Sequence, residues 1–411
     1  MKRINQVKQR RWIVLIAFCL INLCTGSVYS WSVFAGPMAD QLSLLTGQAL
    51  HASDLSIVFT VYSGMALLMM VVAGALNARF SSKIVLFIAG LFYGGGFLVS
   101  SMATNIGMLI LGYGVMCNIG GSIAYNCTIC NSVRLFPDRK GFAGGITTAT
   151  YGLSAVIVSP IANHFNTVYG VCTSFRILGV VFLILICIAA LFTERPPEQI
   201  PGIVADDDPA VSITPDRTWR QMLADRKFYV MYLILFSSGF FGYMVTSQAA
   251  TMAGHVGMST TKAAAVVSLL SLANAVGRVG SGTLSDLIGR INTLTVMILL
   301  AVTGLILLIV SDTGLLALFC IGIALVGLAY GSFTAVYPGF CADQFGPSNN
   351  TVNYGILFTS FNLAGMLSPI LSGSIYGATG TYVPAYYAAI CISCISFSLT
   401  IVFRLMNRPA K

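Results

Sequence analysis

Apolar runs long enough to cross a bilayer recur twelve times along this 411-residue chain, and they leave few other folds open. In hydrocarbon every backbone N–H and C=O must be satisfied within the chain, so runs of about twenty residues fold as helices. They fall at residues 12 to 34, 54 to 76, 84 to 103, 107 to 133, 141 to 162 and 173 to 193. Six more follow at 228 to 253, 262 to 285, 292 to 311, 315 to 340, 352 to 377 and 382 to 405. With 56% hydrophobic and 9% charged residues, the composition excludes an ordinary soluble protein. The expected fold class is an all-α membrane protein of 12 transmembrane helices in two six-helix halves.

One stretch interrupts the apolar pattern. Residues 194 to 227 hold five of the 13 prolines together with Asp206, Asp207 and Asp208, the composition of a solvated linker. The expected domains are therefore an N-terminal half at 1–193, a cytoplasmic linker at 194–227 and a C-terminal half at 228–411. A weak internal repeat supports the division. Gly74-Ala-Leu-Asn77 after span two corresponds to Gly282-Thr-Leu-Ser-Asp286 after span eight, each leading to basic residues before the next span. Paired halves with a site at their midplane interface are a common plan for secondary transporters.

The net charge of +9 is explained by topology. Of 22 Lys and Arg, only Arg176 and Lys262 fall on the side opposite to the basic clusters, with Arg278 inside the membrane. That asymmetry puts both termini in the cytoplasm and requires an even number of spans. No nucleic-acid partner is needed to account for it. The 11 cysteines lie mostly in apolar runs, where a free thiol packs as a small hydrophobe. Cys127/Cys130 and Cys391/Cys394 have CxxC spacing but no His or carboxylate nearby, so neither a metal site nor a cofactor is expected.

Arg278 stands out. The run from Lys262 to Asp286 spans about 36 Å as a helix and places a guanidinium inside the bilayer. A cation there costs about 2.5 to 3.5 kcal/mol on insertion scales, which points to a residue facing a protein-lined cavity or an ion path. The alternative is snorkelling, since Arg278 lies only about 12 Å from the Asp286 end. Asn274, one turn earlier on the same face, weighs against that alternative, because a lipid-facing Asn-Arg pair leaves two polar groups in hydrocarbon.

Aromatic residues are the other candidates. Tyr29 sits where Gly26-Ser-Val-Tyr-Ser-Trp31 breaks the aliphatic pattern of span one. Tyr125 lies about 13 Å from Arg134, near mid-membrane, with a hydroxyl that needs a partner. Tyr330, Phe333 and Tyr337 recur on one face of span ten, and Tyr151 and Tyr354 mark spans five and eleven. Interhelix packing is the alternative for each, and an interfacial anchor for Tyr29.

With these residues in view, the chain resembles a known family. Gly282-Thr-Leu-Ser-Asp286-Leu-Ile-Gly289-Arg290 is similar to the loop signature of the major facilitator superfamily, and the six-plus-six layout fits the whole chain. Leu135-Phe-Pro-Asp-Arg-Lys-Gly141, Gly26-Ser-Val-Tyr-Ser-Trp31 and Thr218-Trp-Arg220 narrow the resemblance to the oxalate/formate antiporter family, whose bacterial relatives include lactate and pyruvate carriers. The resemblance implies a central cavity for a small carboxylate with Arg278 as the anion's partner. Asp286 and Arg290 would act as a conformational gate on the cytoplasmic side; their alternative role is to fix topology. One departure matters. Family members that handle oxalate are associated with a second cation in span eleven, whereas residues 352 to 377 contain no Lys or Arg.

The charge count selects the substrate. A guanidinium holds one carboxylate through a bidentate, charge-assisted pair, with Asn274 as a neutral hydrogen-bond partner. A second carboxylate would be a desolvated, unpaired charge. A monocarboxylate such as lactate, pyruvate or formate is therefore expected. All Asp and Glu map to loops, linker or helix ends, and His51, His164 and His255 fall near the outer surface, so no proton relay is legible. Moving a monoanion inward alone costs about 2.3 kcal/mol per 100 mV, so uptake needs a companion proton or a counter-anion. The expectation is a proton symporter working by alternating access, with anion antiport as the alternative. It is not expected to be an enzyme, because no nucleophile-base pair, metal cluster or phosphate loop is present. A drug exporter and a transport-dead sensor are further alternatives; the absence of an appended cytoplasmic domain argues against the sensor. The expected setting is the bacterial cytoplasmic (inner) membrane, with the chain acting as a monomer.

Overall fold

The computed structural model describes residues 2–52, 54–193, 216–311 and 315–407. Every regular element among the described residues is helical, as hydrocarbon demands of apolar runs this long. Among the described residues, twelve helices are long and apolar enough to span a membrane. Spans one to six are Arg10–Thr46, Ser56–Arg79, Ser82–Ser100, Ile106–Leu135, Lys140–Tyr169 and Val171–Leu191. Spans seven to twelve are Arg226–His255, Thr260–Ile288, Arg290–Ser311, Leu316–Phe345, Asn350–Thr379 and Val383–Met406. Large apolar side chains such as Ile16, Leu68 and Ile370 point outward, as expected of lipid-facing surface. The chain is a multi-pass membrane protein.

Helix ends differ most from expectation at spans one and five. Span one was expected to stop near Phe34. Instead it tightens into a 3-10 turn at Gly26–Ser30 and resumes over Trp31–Thr46, ending at the left-handed Gly47 (φ 71°). Pro37 lies inside the resumed helix. A proline there leaves the carbonyl four residues earlier without its usual donor, and Asn166 Nδ2 donates to Val33 O at 3.0 Å. The same bond gives a partner to a polar residue in the last turn of span five, which runs to Tyr169 rather than 162. Asp40, expected in a loop, consequently lies in the last turns of a helix, on an exposed face.

The chain divides into two compact units: Met1–Asp138 with Thr150–Ser212, and Arg139–Ala149 with Ile213–Lys411. The first ten residues of span five thus pack with the second unit. An aromatic core fills the first unit, with Phe34 stacked on Phe175 (centroids 4.6 Å) and Phe97 against Phe182, Phe175 and Tyr113. Where Gly74-Ala-Leu-Asn77 ends span two, neutral groups bond: Asn131 Nδ2 donates to Asn77 Oδ1 (3.2 Å) and to Ser82 Oγ (2.9 Å).

Of the expected linker, residues 194 to 215 lie outside the described residues. The remainder is folded onto the second unit. Asp216 accepts from the Ser348 backbone N–H (2.9 Å) and hydroxyl (2.6 Å), and Arg217 N–H donates to Phe345 O (2.8 Å). A one-turn helix, Trp219–Leu223, follows with a capping box between Thr218 and Gln221.

Candidate functional site

Span eight owes the position of its arginine to glycines on its neighbours. At Gly331 of span ten, a Cβ would collide with the Asn274 carbonyl and lie 3.1 Å from Arg278 Cγ. Only a residue without a side chain lets the two helix backbones meet while the Arg278 stem passes between them. Arg278 is 3% exposed and Asn274 9%.

The guanidinium is held inside the protein. Arg278 Nε donates to Asn274 Oδ1 at 2.7 Å, along the i, i+4 spacing, and Nη1 donates to the Thr148 backbone carbonyl at 2.5 Å. Both acceptors are neutral. Among the described residues no Asp or Glu comes within ion-pair distance of it. A guanidinium has five donors, so two bonds leave capacity for an oxyanion.

About 12 Å further along the same face of span eight lies a charged network. Asp286 accepts from the backbone N–H groups of Gly141 and Phe142, both at 2.9 Å, and from Arg290 Nη1 at 2.6 Å. The two amides belong to the first turn of span five, whose N–H groups have no partner within their own helix, so the Asp286 carboxylate caps that helix. Arg290 also donates to Ser285 Oγ, and its Nε to Asp343 Oδ2 at 3.1 Å. Lys140 Nζ closes the network on Asp343 Oδ1 at 2.6 Å. Every member belongs to the second unit. Asp286 and Arg290 were expected as a pair; Ser285, Asp343 and Lys140 were missed. Lys140 was visible in the Leu135–Gly141 motif, but nothing in sequence marks its partner 203 residues away.

The tyrosines separate into two groups. In the first unit Tyr151 meets Tyr29 (5.6 Å) and Tyr125 (4.9 Å), each edge to face. Tyr125 and Tyr151 are buried and Tyr29 is 40% exposed. In the second unit Tyr330 stacks on Phe361 (5.5 Å, 9°) and meets Tyr243 edge-on (5.5 Å). Phe333 and Tyr337 are fully buried and stack on each other; Tyr337 donates its hydroxyl to Met231 O at 2.8 Å, and Phe333 meets Phe241 edge-on. Tyr354, also buried, tilts against Phe358. Tyr243, Phe358 and Phe361 were missed, although Tyr354, Phe358 and Phe361 share one helical face by spacing alone.

The described residues thus hold twelve helices long enough to span a membrane and a buried cation bonded to neutral acceptors, the architecture of a polytopic membrane protein. The chain belongs to the major facilitator superfamily of membrane transporters, whose family model matches residues 14–323 and 249–411. It is 29% identical over 365 residues to the uncharacterized MFS-type transporter YhjX of Escherichia coli (strain K12), covering 87% of each chain. It is 26% identical to the oxalate:formate antiporter of Oxalobacter formigenes (98% of this chain, 93% of that one). Apicoplast pyruvate carrier 1 of Toxoplasma gondii is 24% identical over 98% of this chain and 91% of its own. Among solved structures, FucP in the outward conformation superposes with a TM-score of 0.71 at 14% identity, over 98% of this chain and all of that one. The human organic anion transporter MFSD10 gives 0.72 at 14%, over 95% and 99%. At that identity the structures speak for the fold.

Proposed function

We propose that this protein carries a small monocarboxylate, such as lactate, pyruvate or formate, together with a proton by alternating access, with Arg278 holding the carboxylate. The observation that carries this reading is the Arg278 environment: a buried guanidinium with an amide and a backbone carbonyl as partners and no carboxylate among the described residues. A buried charge without a counter-charge is costly, and an arriving anion supplies one. Asn274 occupies Nε and sets the plane of the guanidinium, leaving Nη2 and, once the Thr148 carbonyl gives way, Nη1 for a bidentate pair.

A single cation suits a single carboxylate. Span eleven contains no Lys or Arg, and its buried residues are uncharged, with Tyr354, Phe358 and Phe361 beside Asn353, Ser360 and Ser368. Tyr330, stacked on Phe361, is proposed to contact the apolar part of the substrate, while Phe333 and Tyr337 support it through packing against span seven. Tyr29, Tyr125 and Tyr151 are the first unit's proposed substrate-contacting residues. The network of Asp286, Arg290, Asp343 and Lys140 is proposed as the cytoplasmic gate. The basic clusters support both termini on the cytoplasmic side, and the bacterial relatives support an inner-membrane location.

A second reading, anion exchange, is favoured by the similarity to an oxalate:formate antiporter over nearly the whole chain. Uptake of labelled lactate, pyruvate, formate and oxalate into proteoliposomes separates the two. Entry of a monocarboxylate that responds to a pH gradient and stops with Arg278→Ala supports the first. Movement of oxalate alone, and only against internal formate, supports the second.

A further inference from the structure

The bond from Arg278 to the Thr148 carbonyl does more than occupy a donor, because of where it lies along the contact between spans five and eight. Arg278, Gly282 and Asp286 recur every four residues and share one face of span eight. Against them lie Gly141, Gly145 and Thr148 of span five, within the segment Arg139–Ala149 that packs with the second unit. The backbones touch: a Cβ on Gly145 would come 2.5 Å from the Arg278 carbonyl oxygen, and one on Gly141 would strike that of Gly282. At both positions glycine faces backbone. The directed bonds sit at its two ends, Asp286 on the Gly141 and Phe142 amides at one and Arg278 on Thr148 at the other.

Resting on the reading of Arg278 as the anion's partner, we infer that the Thr148 carbonyl is an internal stand-in for the substrate carboxylate, and that substrate binding unlatches the span five–span eight seam. A neutral carbonyl is a weaker acceptor for a guanidinium than a carboxylate, which brings an opposite charge and a bidentate geometry. When a carboxylate reaches Arg278, the guanidinium turns to it, the Nη1 bond to Thr148 lengthens, and the seam loses the bond at that end. Linkage makes the effect reciprocal: an anion loosens the seam, and a closed seam lowers anion affinity by the same factor. Recognition at Arg278 is thereby coupled to the Asp286 gate along one helix face without a separate sensing element.

The Gly141 and Phe142 amides are natural reporters, since both are bonded to Asp286. Hydrogen exchange of the 139–149 segment is measured on the full chain in nanodiscs, with lactate, pyruvate or formate at saturation against chloride at equal ionic strength, and anion binding is followed in parallel by calorimetry. The expected result is severalfold faster exchange with the bound monocarboxylate. In Arg278→Gln exchange should be fast from the start and insensitive to anion, with Asp286→Asn confirming that the reporter responds. Gly145→Ala, which wedges the seam and keeps the Arg278 guanidinium, should speed exchange without anion and tighten anion binding severalfold. Binding with heat but unchanged or slower exchange, or unaltered affinity in Gly145→Ala, overturns the latch and leaves the carrier reading standing. No binding of any of the three anions to the wild type overturns both.

Discussion

At the scale of single residues the protein turns on a guanidinium that has no charged partner among the described residues. A hydrogen bond to a charged group contributes about 1.5–3 kcal/mol, so Arg278→Ala should weaken monocarboxylate binding roughly 10- to 150-fold by calorimetry. Arg278→Lys keeps the charge but not the planar fork, and should recover only part of that loss. Asn274→Ala removes the acceptor that orients Nε; a loss of about 1 kcal/mol, near fivefold in affinity, is expected with the charge intact. Wild-type affinity in Arg278→Ala would remove the basis of the anion-carrier reading. The arginine and the asparagine one turn before it were legible in sequence, because a charge in an apolar run and an i, i+4 spacing are local properties. Thr148 was not, since a backbone carbonyl carries no residue-type signal and its approach depends on Gly145 lying against span eight.

Helix positions followed the apolar runs closely, and departures came where a long-range bond rescued a local break. Span five reads as finished before His164 and Asn166, yet it continues because Asn166 meets a carbonyl that Pro37 leaves open in span one. Helix contacts yield their own prediction. Gly331→Val should destabilise the protein by about 1–3 kcal/mol through overpacking against the Asn274 carbonyl and displace the Arg278 stem. Thermal unfolding should show the first effect and a fall in uptake the second; unchanged behaviour in both would mean that spans eight and ten do not meet as closely as described. Asymmetry between the repeats is also an element-scale result. The second half builds its joint from Asp286, Arg290 and Asp343, whereas the first uses Asn77, Asn131 and Ser82. The repeat in sequence suggested correspondence, not this division between charged and neutral bonding.

For the whole molecule the decisive quantity is the charge moved per cycle. A monoanion entering alone works against about 2.3 kcal/mol per 100 mV, a roughly 50-fold penalty in accumulation, while a one-to-one proton symporter moves no net charge. An inside-alkaline pH gradient should therefore drive labelled monocarboxylate into proteoliposomes, and an imposed inside-negative potential should leave accumulation unchanged. Suppression by the potential would exclude one-to-one symport, and a strict need for internal anion would favour exchange.

Sequence alone was enough for the class of fold, because hydrocarbon leaves a long apolar segment one backbone solution and because runs, linker composition and basic clusters are read without knowing what touches what. It also marked Arg278, since the cost of a buried cation belongs to the residue itself. Tertiary structure alone decided which groups complete that cation's surroundings and which helix Asp286 caps. Those depend on glycines bringing distant backbones into contact, and on partners such as Lys140 and Asp343 that lie 203 residues apart and meet only once the helices pack.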